Sequence, residues 1–463
     1  MKRWSIEKLK QWKASPNRKP LLLLGARQVG KTWLMKEFGA QCYRNIVYVR
    51  FDTDTTMKTV FEKDYRIPRI LNDLKLYTGD NIIPGDTLII LDEIQECPSA
   101  LTSLKYFCEE AREHHIIAAG SLLGVAEHRG TGFPVGKVNR MYLGPMSFTE
   151  FLEASGQGEF VKLIQSKDWD TMSRFQERLI EHLRYYYYVG GMPEVVSTFI
   201  STGSFKAARE VQLNLLADYQ DDFSKHATPA ESHLISQIWK AVPSQLAQEN
   251  KRFIQNVAVP GVKSDRLRGP MRWLNDAGMV NIVQRVTRPE APLDAFCDGA
   301  FKLFFLDIGL LGARCKLESA ALLKGASFFG QFKGALTEQY VQQQITSELG
   351  SHPYYWSAEK AQAEVDFLFD AESEIVPLEV RAELNLRAKS LQSFYRRYRR
   401  PLAVRTSMSQ YSANTVEIPA TKDSQAGSYR LIDLPLYAIS LLAEVVADEL
   451  KRLELERSNS DLF

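Results

Sequence analysis

The sequence predicts an α/β fold whose N-terminal part is a doubly wound parallel sheet, and three observations predict it. The apolar run Leu21–Leu24 leads directly into Gly25-Ala-Arg-Gln-Val-Gly30-Lys31-Thr32, a complete P-loop. A later apolar strand ends in the acid pair Asp92 and Glu93. Short apolar segments also alternate with helical segments, as in parallel sheets covered by helices. The predicted strands are Leu21–Leu24, Ile46–Phe51, Thr87–Leu91, Ile116–Ala119 and Arg140–Gly144.

Length and composition favour a multidomain protein that is neither secreted nor membrane-spanning. The chain has 463 residues, of which 25% are charged, and a formal net charge of only +2. Such a chain binds nucleic acid through local basic patches rather than through its total charge. The five cysteines have no paired spacing, which is typical of reduced structural thiols. Because the sequence has neither a signal peptide nor an apolar stretch of about 18 residues, we expect a cytoplasmic protein.

The P-loop predicts a nucleoside triphosphate site that binds ATP and Mg²⁺. Glycines allow the backbone to fold around an anion, so that successive N–H groups and the following helix N-terminus point at the phosphates. Lys31 is expected to reach the β- and γ-phosphates, and the Thr32 hydroxyl is expected to bind Mg²⁺. The residues expected to bind the nucleotide are Gly25, Ala26, Arg27, Gln28, Val29, Gly30, Lys31, Thr32 and Trp33.

The acid pair after the strand Thr87–Leu91 predicts the second half of this site. A hydrophobic strand that ends in two acids is typical of a Walker B element. Asp92 is expected to hold Mg²⁺ through its water shell, and Glu93 to orient and deprotonate the attacking water. Ser121 follows the fourth strand, where its side chain is placed to contact the γ-phosphate. Lys31, Glu93 and Ser121 are therefore catalytic candidates.

Beyond these two elements, the chain resembles the bacterial and archaeal P-loop ATPases of the AAA+ group that carry a C-terminal domain of unknown function. The resemblance rests on both nucleotide motifs and on six further segments in the same order. These segments are 144–152, 190–194, 301–311, 364–368, 377–380 and 434–438. The resemblance implies an AAA+ core (1–155), a helical lid (156–228), a winged-helix-like segment (229–298), and a restriction-endonuclease-like α/β domain of the PD-(D/E)xK type with a C-terminal helix (299–463).

Two features of the expected lid have alternative interpretations. Gly191-Met192-Pro193 resembles the turn that related ATPases place against the adenine ring, which makes Gly191 and Pro193 nucleotide-binding candidates. A plain connector between two helices explains the same residues equally well. The run Tyr185–Tyr188 is interpreted as core packing, with a base-stacking platform as the alternative.

The resemblance also implies a homo-oligomer, because AAA+ enzymes usually complete their site with an arginine from a neighbouring subunit. Arg129 and Arg140 lie in the region where such a finger is expected, and Arg140 is the favoured catalytic candidate. Related chains often carry Gly-Arg near Gly136-Lys137, so a substituted or absent finger stays open. Both arginines are otherwise ordinary surface residues.

The expected winged-helix segment has three helices and a hairpin. Leu234 lies on the first helix, and Pro243 is predicted to open the second. The third is expected to carry three arginines, with an interruption at Gly269-Pro270 because proline removes an N–H donor. The hairpin is predicted to start with Met279–Val286. DNA docking in the major groove and protein binding are both open for this segment. The three arginines are Arg266, Arg268 and Arg272.

The C-terminal domain carries acids in the arrangement of PD-(D/E)xK nucleases. Glu338 lies on a helix, Asp366 on a strand and Glu379 on the next strand, where carboxylates can share Mg²⁺. Arg381 stands where active enzymes usually carry Lys, and a guanidinium can pair with a carboxylate and compete with the metal. We therefore expect weak metal binding and no efficient cleavage. The basic run Arg396–Arg400 predicts a phosphate-binding face or, equally, a solvated helix.

Together these features predict a Mg²⁺-dependent AAA+ ATPase whose C-terminal half handles nucleic acid, with DNA as the favoured partner. One alternative is a nucleotide-gated binding protein that hydrolyses ATP only to reset. Another is a protein-remodelling ATPase with a polypeptide partner. An ATP-controlled nuclease is the third alternative and is disfavoured by Arg381.

Overall fold

The structure is a computed structural model of the chain. It describes residues 1–120, 132–248, 251–319, 332–358, 363–371, 374–382, 389–421 and 424–460. The chain divides into two compact units. The first contains Met1–Pro145 and Gly269–Met279, and the second contains Met146–Arg268 and Val280–Phe463.

A five-stranded parallel sheet forms the centre of the first unit, with the order β2-β3-β4-β1-β5. The strands are β1 (Leu21–Leu24), β2 (Asn45–Arg50), β3 (Thr87–Asp92), β4 (His115–Gly120) and β5 (Asn139–Tyr142). All five predicted strands are confirmed, with ends that differ by two residues at most. Both β3 and β4 are buried along their whole length, which explains their uninterrupted apolar sequences.

Five helices of the first unit precede or follow these strands. They are α1 (Ser5–Ala14), α2 (Lys31–Cys42), α3 (Thr55–Lys63), α4 (Ile67–Thr78) and α5 (Pro98–Glu110). One side of the sheet packs into a core that joins β2 and β3 to α3, α4 and α5, including Val49, Phe61 and Leu104. This core holds the carboxyl ends of β1 and β3 in place. The P-loop starts at the end of β1, and the acid pair lies at the end of β3.

The second unit contains a mixed eight-stranded sheet with the order β12-β13-β11-β10-β9-β8-β6-β7. Its strands are β6 (Val280–Val286), β7 (Cys297–Phe305), β8 (Tyr354–Ser357), β9 (Glu364–Ala371), β10 (Glu374–Val380), β11 (Leu402–Ser407), β12 (Ser412–Ile418) and β13 (Gly427–Pro435). The pairs β6/β8, β10/β11 and β11/β13 are parallel, and the other neighbours are antiparallel.

The other described helices lie before, between and after these strands of the second sheet. They are α6 (Phe148–Ala154), α7 (Gly158–Gln165), α8 (Trp169–Arg174), α9 (Gln176–Val189), α10 (Pro193–Thr202), α11 (Phe205–His226), α12 (Pro229–Leu246), α13 (Gln255–Ala258), α14 (Ser264–Asp276), α15 (Ile308–Arg314), α16 (Phe332–Gln344), α17 (Lys389–Tyr398) and α18 (Leu442–Ser460). Three tyrosines of the run on α9 are buried, and Tyr186 meets Phe148 and Tyr340 edge to face. The core interpretation of this run is therefore confirmed for Tyr186, Tyr187 and Tyr188.

The sequence-based prediction was wrong about both prolines of the expected winged-helix segment. Pro243 does not open a helix, because α12 continues through it to Leu246. Pro270 likewise lies inside the continuous helix α14. Each proline removes one backbone hydrogen bond, but buried neighbours such as Val242 and Met271 anchor both helices by packing.

The predicted hairpin exists but does not form a separate wing. Strand β6 pairs antiparallel with β7, as expected for a hairpin that starts near Met279. It also pairs in parallel with β8 through Arg285 and Val286, so the hairpin belongs to the eight-stranded sheet. The winged-helix arrangement is therefore not confirmed, and the division into four domains stays a prediction.

Candidate functional site

The P-loop runs from the buried strand β1 to the start of α2. Gly30 caps α2 with a φ of 93°, a left-handed conformation that glycine adopts at low cost. Gly25 has a φ of 153°, and a Cβ atom there would collide with the carbonyl oxygen of Leu143, just beyond β5. The two glycines therefore allow a turn that no larger residue fits. Trp33 is exposed on the first turn of α2.

Lys31 is turned back onto its own loop. Its Nζ donates to the carbonyl oxygens of Gly25 at 3.0 Å and Ala26 at 2.7 Å. Burial lowers the pKa of Lys31 to about 8, although the carboxylates of Glu93 and Asp92 act in the opposite direction. A buried ammonium bonded only to neutral carbonyls is well suited to meet an incoming anion.

Asp92 is held at the end of β3 by neutral donors. The Thr32 hydroxyl donates to its Oδ2 at 2.7 Å, and the Tyr48 hydroxyl donates to the same oxygen at 2.9 Å. The backbone N–H of Glu93 donates to Oδ1 at 3.1 Å. Burial, followed by the Asp92 carboxylate, raises the pKa of Tyr48, so this hydroxyl stays protonated.

Glu93 begins the sharp turn after β3. Its φ of 50° is left-handed, which is uncommon outside glycine and directs the chain away from the strand. Its Oε2 accepts a hydrogen bond of 2.6 Å from Nε2 of Gln95, in the short helix Ile94–Glu96. Within the described part of the chain, Oε1 of Gln95 is buried without a hydrogen-bond partner.

The residues present fit an Mg²⁺–nucleotide complex. Thr32 and Asp92 offer a hydroxyl and a carboxylate 2.7 Å apart, and such hard oxygen ligands suit Mg²⁺. Lys31 supplies the cation that a polyphosphate requires beside the metal. The structure thus brings together Lys31, Thr32, Asp92 and Glu93. Ser121 and Arg129 lie outside the described residues.

Sequence reasoning missed three residues around this site. Tyr48 and Gln95 contact the two acids, and Gly278 lies against the P-loop, where an added Cβ would come within 3.2 Å of the Ala26 backbone nitrogen. Gly278 belongs to the segment Gly269–Met279 of the first unit. The sequence signal that could have found it is a glycine shortly after a helical segment, a position that favours the left-handed φ of 72° seen here.

Arg140 lies on β5, where it is exposed to solvent. Its guanidinium stacks over the ring of Phe133 at 4.7 Å from the ring centroid, and its backbone pairs with Leu22 of β1. This contact fixes the side chain on the surface of the first unit. Exposure is required of an arginine that reaches another subunit and is also ordinary for a surface residue.

Gly191 and Pro193 lie in the second unit, in a buried turn between α9 and α10. A Cβ at Gly191 would collide with the carbonyl oxygen of Met146, and the Gly191 N–H donates to Asp307 at 2.7 Å. Asp307 is fully buried, and burial raises its pKa despite three backbone donors. Contacts inside the second unit thus account for the glycine, and a role in adenine binding stays a prediction.

The acids of the C-terminal region do not form one group. Glu338 and Asp366 approach the buried ammonium of Lys302, whereas Glu379 forms an ion pair with Arg381. Burial raises the pKa of Glu379, and the guanidinium of Arg381 acts against that shift. Arg381 thus pairs with a carboxylate as expected, and its effect on metal binding stays a prediction.

The two basic stretches differ in their surroundings. Arg396, on the last turn of α17, donates to the carbonyl oxygen of Pro419, and Arg399, just after the helix, donates to those of Gln425 and Ala426. Arg400 pairs with Glu374. On α14, Arg268 and Arg272 are exposed and pair with acids of the same helix. The arginines of the first stretch are therefore engaged in contacts within the second unit, whereas α14 presents its arginines to solvent.

Three family matches together cover most of the chain. Residues 17–152 match the AAA domain family. Residues 180–321 and 333–422 match two different domains of unknown function, DUF8612 and DUF4143. No curated protein matches the chain. None of the described helices combines the length and apolar character that crossing a bilayer requires.

Several solved structures resemble the chain at low identity. A Walker-type ATPase of Pyrococcus abyssi is 16% identical over 67% of this chain and 94% of its own, with a TM-score of 0.43. Cdc6p of Pyrobaculum aerophilum is 13% identical over 69% and 93%, with a TM-score of 0.24. The ORC1 protein of Aeropyrum pernix, solved with DNA, is 12% identical over 69% and 93%, with a TM-score of 0.26. At these TM-scores the likeness carries no weight for function.

The AAA domain match coincides with the parallel sheet and both nucleotide motifs. The second unit, by contrast, matches only domains whose function is unknown. The matched family and the parallel sheet together support a P-loop ATPase fold of the AAA type in residues 17–152.

Proposed function

We propose that this protein is a Mg²⁺-dependent AAA+ ATPase that binds and hydrolyses ATP. The observation that carries the proposal is the hydrogen bond of 2.7 Å from Thr32 to Asp92, beside the buried ammonium of Lys31. It joins the two motifs at one edge of the sheet. When bound, Mg²⁺ neutralises charge on the phosphates. Lys31 anchors the β- and γ-phosphates, and Glu93 accepts the proton of the attacking water.

Phosphate release by purified protein, measured with and without Mg²⁺, tests this proposal. Glu93→Gln should slow hydrolysis by about 10²- to 10⁴-fold because it removes the general base, and ATP should still bind. Lys31→Ala should instead lose ATP binding. Glu96→Gln is the matched control, since Glu96 is an exposed acid of the same turn. Wild-type turnover by Glu93→Gln would contradict the role assigned to Glu93.

The hydrogen bond from Gln95 to Glu93 favours a second candidate, a nucleotide-gated binding protein. An acid whose Oε2 is engaged at 2.6 Å is less able to accept a proton from water. Gln95→Ala should then raise the basal hydrolysis rate. Gln95→Asn should have an intermediate effect, because its amide side chain is shorter than that of glutamine. A lower rate in Gln95→Ala would instead mean that the amide positions Glu93 for catalysis.

We propose that the enzyme is a homo-oligomer in which Arg140 of one subunit completes the site of the next. Support comes from its exposed position on β5. Arg140→Ala should bind ATP and hydrolyse it slowly. A mixture with Glu93→Gln should recover part of the activity, because some interfaces then pair both intact residues. Sedimentation that shows only monomers with ATP and Mg²⁺ would contradict this arrangement.

We further propose that nucleic acid, and DNA in particular, is the partner of the C-terminal half. Arg266 and Arg268, the exposed arginines of α14 in the second unit, support this, since phosphate contacts are made by accessible cations. Duplex and single-stranded DNA should stimulate ATP hydrolysis, and the effect should decline steeply with salt. The double change Arg266→Glu and Arg268→Glu should abolish stimulation but retain basal turnover. Indifference of the wild type to DNA would favour a polypeptide partner.

A further inference from the structure

A buried ammonium joins three carboxylates in the second unit. Lys302, on β7, is fully buried. Its Nζ lies 2.6 Å from Oε1 of Glu364, 3.4 Å from Oε2 of Glu338 and 3.9 Å from Oδ1 of Asp366. The ring of Tyr355 covers it, with the centroid 4.9 Å away. One cation therefore holds acids from α16 and β9 together.

A second lysine completes the charge balance. Lys251 forms an ion pair with Oε1 of Glu338, so each oxygen of this carboxylate faces an ammonium. Burial acts to raise the pKa of Glu338, but the two lysines outweigh it and hold the carboxyl ionised. Burial and the neighbouring Glu338 carboxylate raise the pKa of Asp366. With Asp366 protonated, two cations face two anions and the cluster is neutral.

The acids that a divalent ion would need are all engaged. Oδ2 of Asp366 accepts a hydrogen bond of 2.8 Å from the N–H of Val380, and Glu379 is paired with Arg381. In the part of the chain that the structure describes, no group of three or more His, Cys, Asp or Glu side chains is arranged to hold a metal ion. The residues present thus do not fit the metal that a nuclease-like fold implies.

We propose that Lys302 is a built-in cation that takes the position of a divalent ion between Glu338 and Asp366, so that the second unit neither binds nor needs Mg²⁺ at these acids. A metal ion entering there would separate the buried ammonium of Lys302 from its carboxylates, and burying an unpaired charge is costly. The acids consequently hold β7, β9 and α16 together instead of activating water. This inference does not depend on ATP hydrolysis.

Electron paramagnetic resonance can measure how much Mn²⁺ the full chain binds without nucleotide, and this measurement tests the inference. Wild type and Glu364→Gln should bind Mn²⁺ equally, because the cluster contributes no site. Glu364 is suited to this comparison, since its side chain is partly exposed and its loss perturbs the fold least. Lys302→Ala should bind one additional Mn²⁺ per chain. The added change Asp366→Asn in that variant should remove the additional ion.

Two results would overturn the inference. One is Mn²⁺ binding by the wild type that Glu364→Gln weakens tenfold or more, because the ion would then displace Lys302. The other is a folded Lys302→Ala that gains no ion. If Lys302→Ala fails to fold, the comparison of wild type with Glu364→Gln still decides. The melting temperature of the wild type should also be equal in Mg²⁺ and in EDTA, and a loss in EDTA would count against the built-in cation.

Discussion

The buried ammonium of Lys31 predicts that ATP binding weakens as the pH rises above 8. In the nucleotide-free protein, burial lowers the pKa of this group from 10.5 to about 8. Polyphosphate beside it restores the charged form, so above pH 8 each binding event must take up a proton. With a pKa of about 8, the Kd at pH 9.5 should be about 30-fold higher than at pH 7. Phosphate esters titrate near pH 6 and are constant in this window.

Equilibrium titration with ATP and Mg²⁺ between pH 7 and 9.5 measures this effect, using Glu93→Gln as the background so that nucleotide is not consumed. Lys31→Arg is the matched control, because a guanidinium stays charged over this range. Its profile should be flat even if its affinity is lower throughout. A wild-type profile parallel to that of Lys31→Arg would refute the reasoning.

Folding stability should respond to the same group with the opposite sign. The charged form of Lys31 is disfavoured in the folded state, and the drop of its pKa from 10.5 to about 8 corresponds to at most about 3 kcal/mol. That cost is present below pH 8 and disappears as the pH rises toward 10.5. Lys31→Met should therefore exceed the wild type in unfolding free energy at pH 7, and the difference should shrink at higher pH.

Three further predictions concern single contacts. Gly25→Ala should lose ATP binding and lower the melting temperature, because its Cβ would collide with the carbonyl of Leu143; a normal melting curve would contradict the close approach. Tyr48→Phe should raise the Mg²⁺ concentration needed for half-maximal hydrolysis several-fold, by the loss of one hydrogen bond of about 1 kcal/mol to Asp92. Asp433→Ala should lower the free energy of unfolding, measured with urea, by about 3 to 5 kcal/mol. The change removes the carboxylate to which the buried guanidinium of Arg405 donates hydrogen bonds of 2.5 and 2.8 Å.

The nucleotide site could be predicted from the sequence because each of its two motifs is a short continuous segment. Lys31 and Thr32 start the helix that follows β1, Asp92 ends β3, and Glu93 comes directly after it. In a parallel sheet the carboxyl ends of the strands share one edge, so two separate motifs are sufficient to place four side chains together. Tyr48 could not be found in this way, because its contact depends on the length of a tyrosine side chain and on the register of β2 against β3.

The prolines of α12 and α14 show where local rules fail. A proline inside a helix costs about 3 kcal/mol by propensity alone. Burial of Ile238, Trp239 and Leu274 on the same helices contributes about 1.5 to 3 kcal/mol for each side chain, which outweighs that cost. The sequence contains the propensity signal, but the packing that overrides it exists only in the tertiary structure.

The sequence around Lys302 contains a signal of a buried ion pair that the sequence analysis did not use. It is the one charge in the otherwise apolar end of β7, Ala300–Phe305. A lysine within such an apolar strand segment requires anionic partners once it is buried, because an unpaired buried ammonium is very unfavourable. The sequence could not predict which acids pair with Lys302, since Glu338 lies 36 residues away and its approach depends on how α16 packs.

The two acid groups of this chain explain why one is suited to a divalent ion and the other is not. Asp92 accepts hydrogen bonds from two hydroxyls and one backbone N–H, all neutral, so its negative charge is oriented but not cancelled. Glu338 faces two ammonium groups, so its charge is already matched. A divalent ion needs uncompensated charge on hard oxygen ligands. The requirement of this protein for Mg²⁺ should therefore arise entirely at the P-loop, and removing the metal should stop hydrolysis without unfolding the second unit.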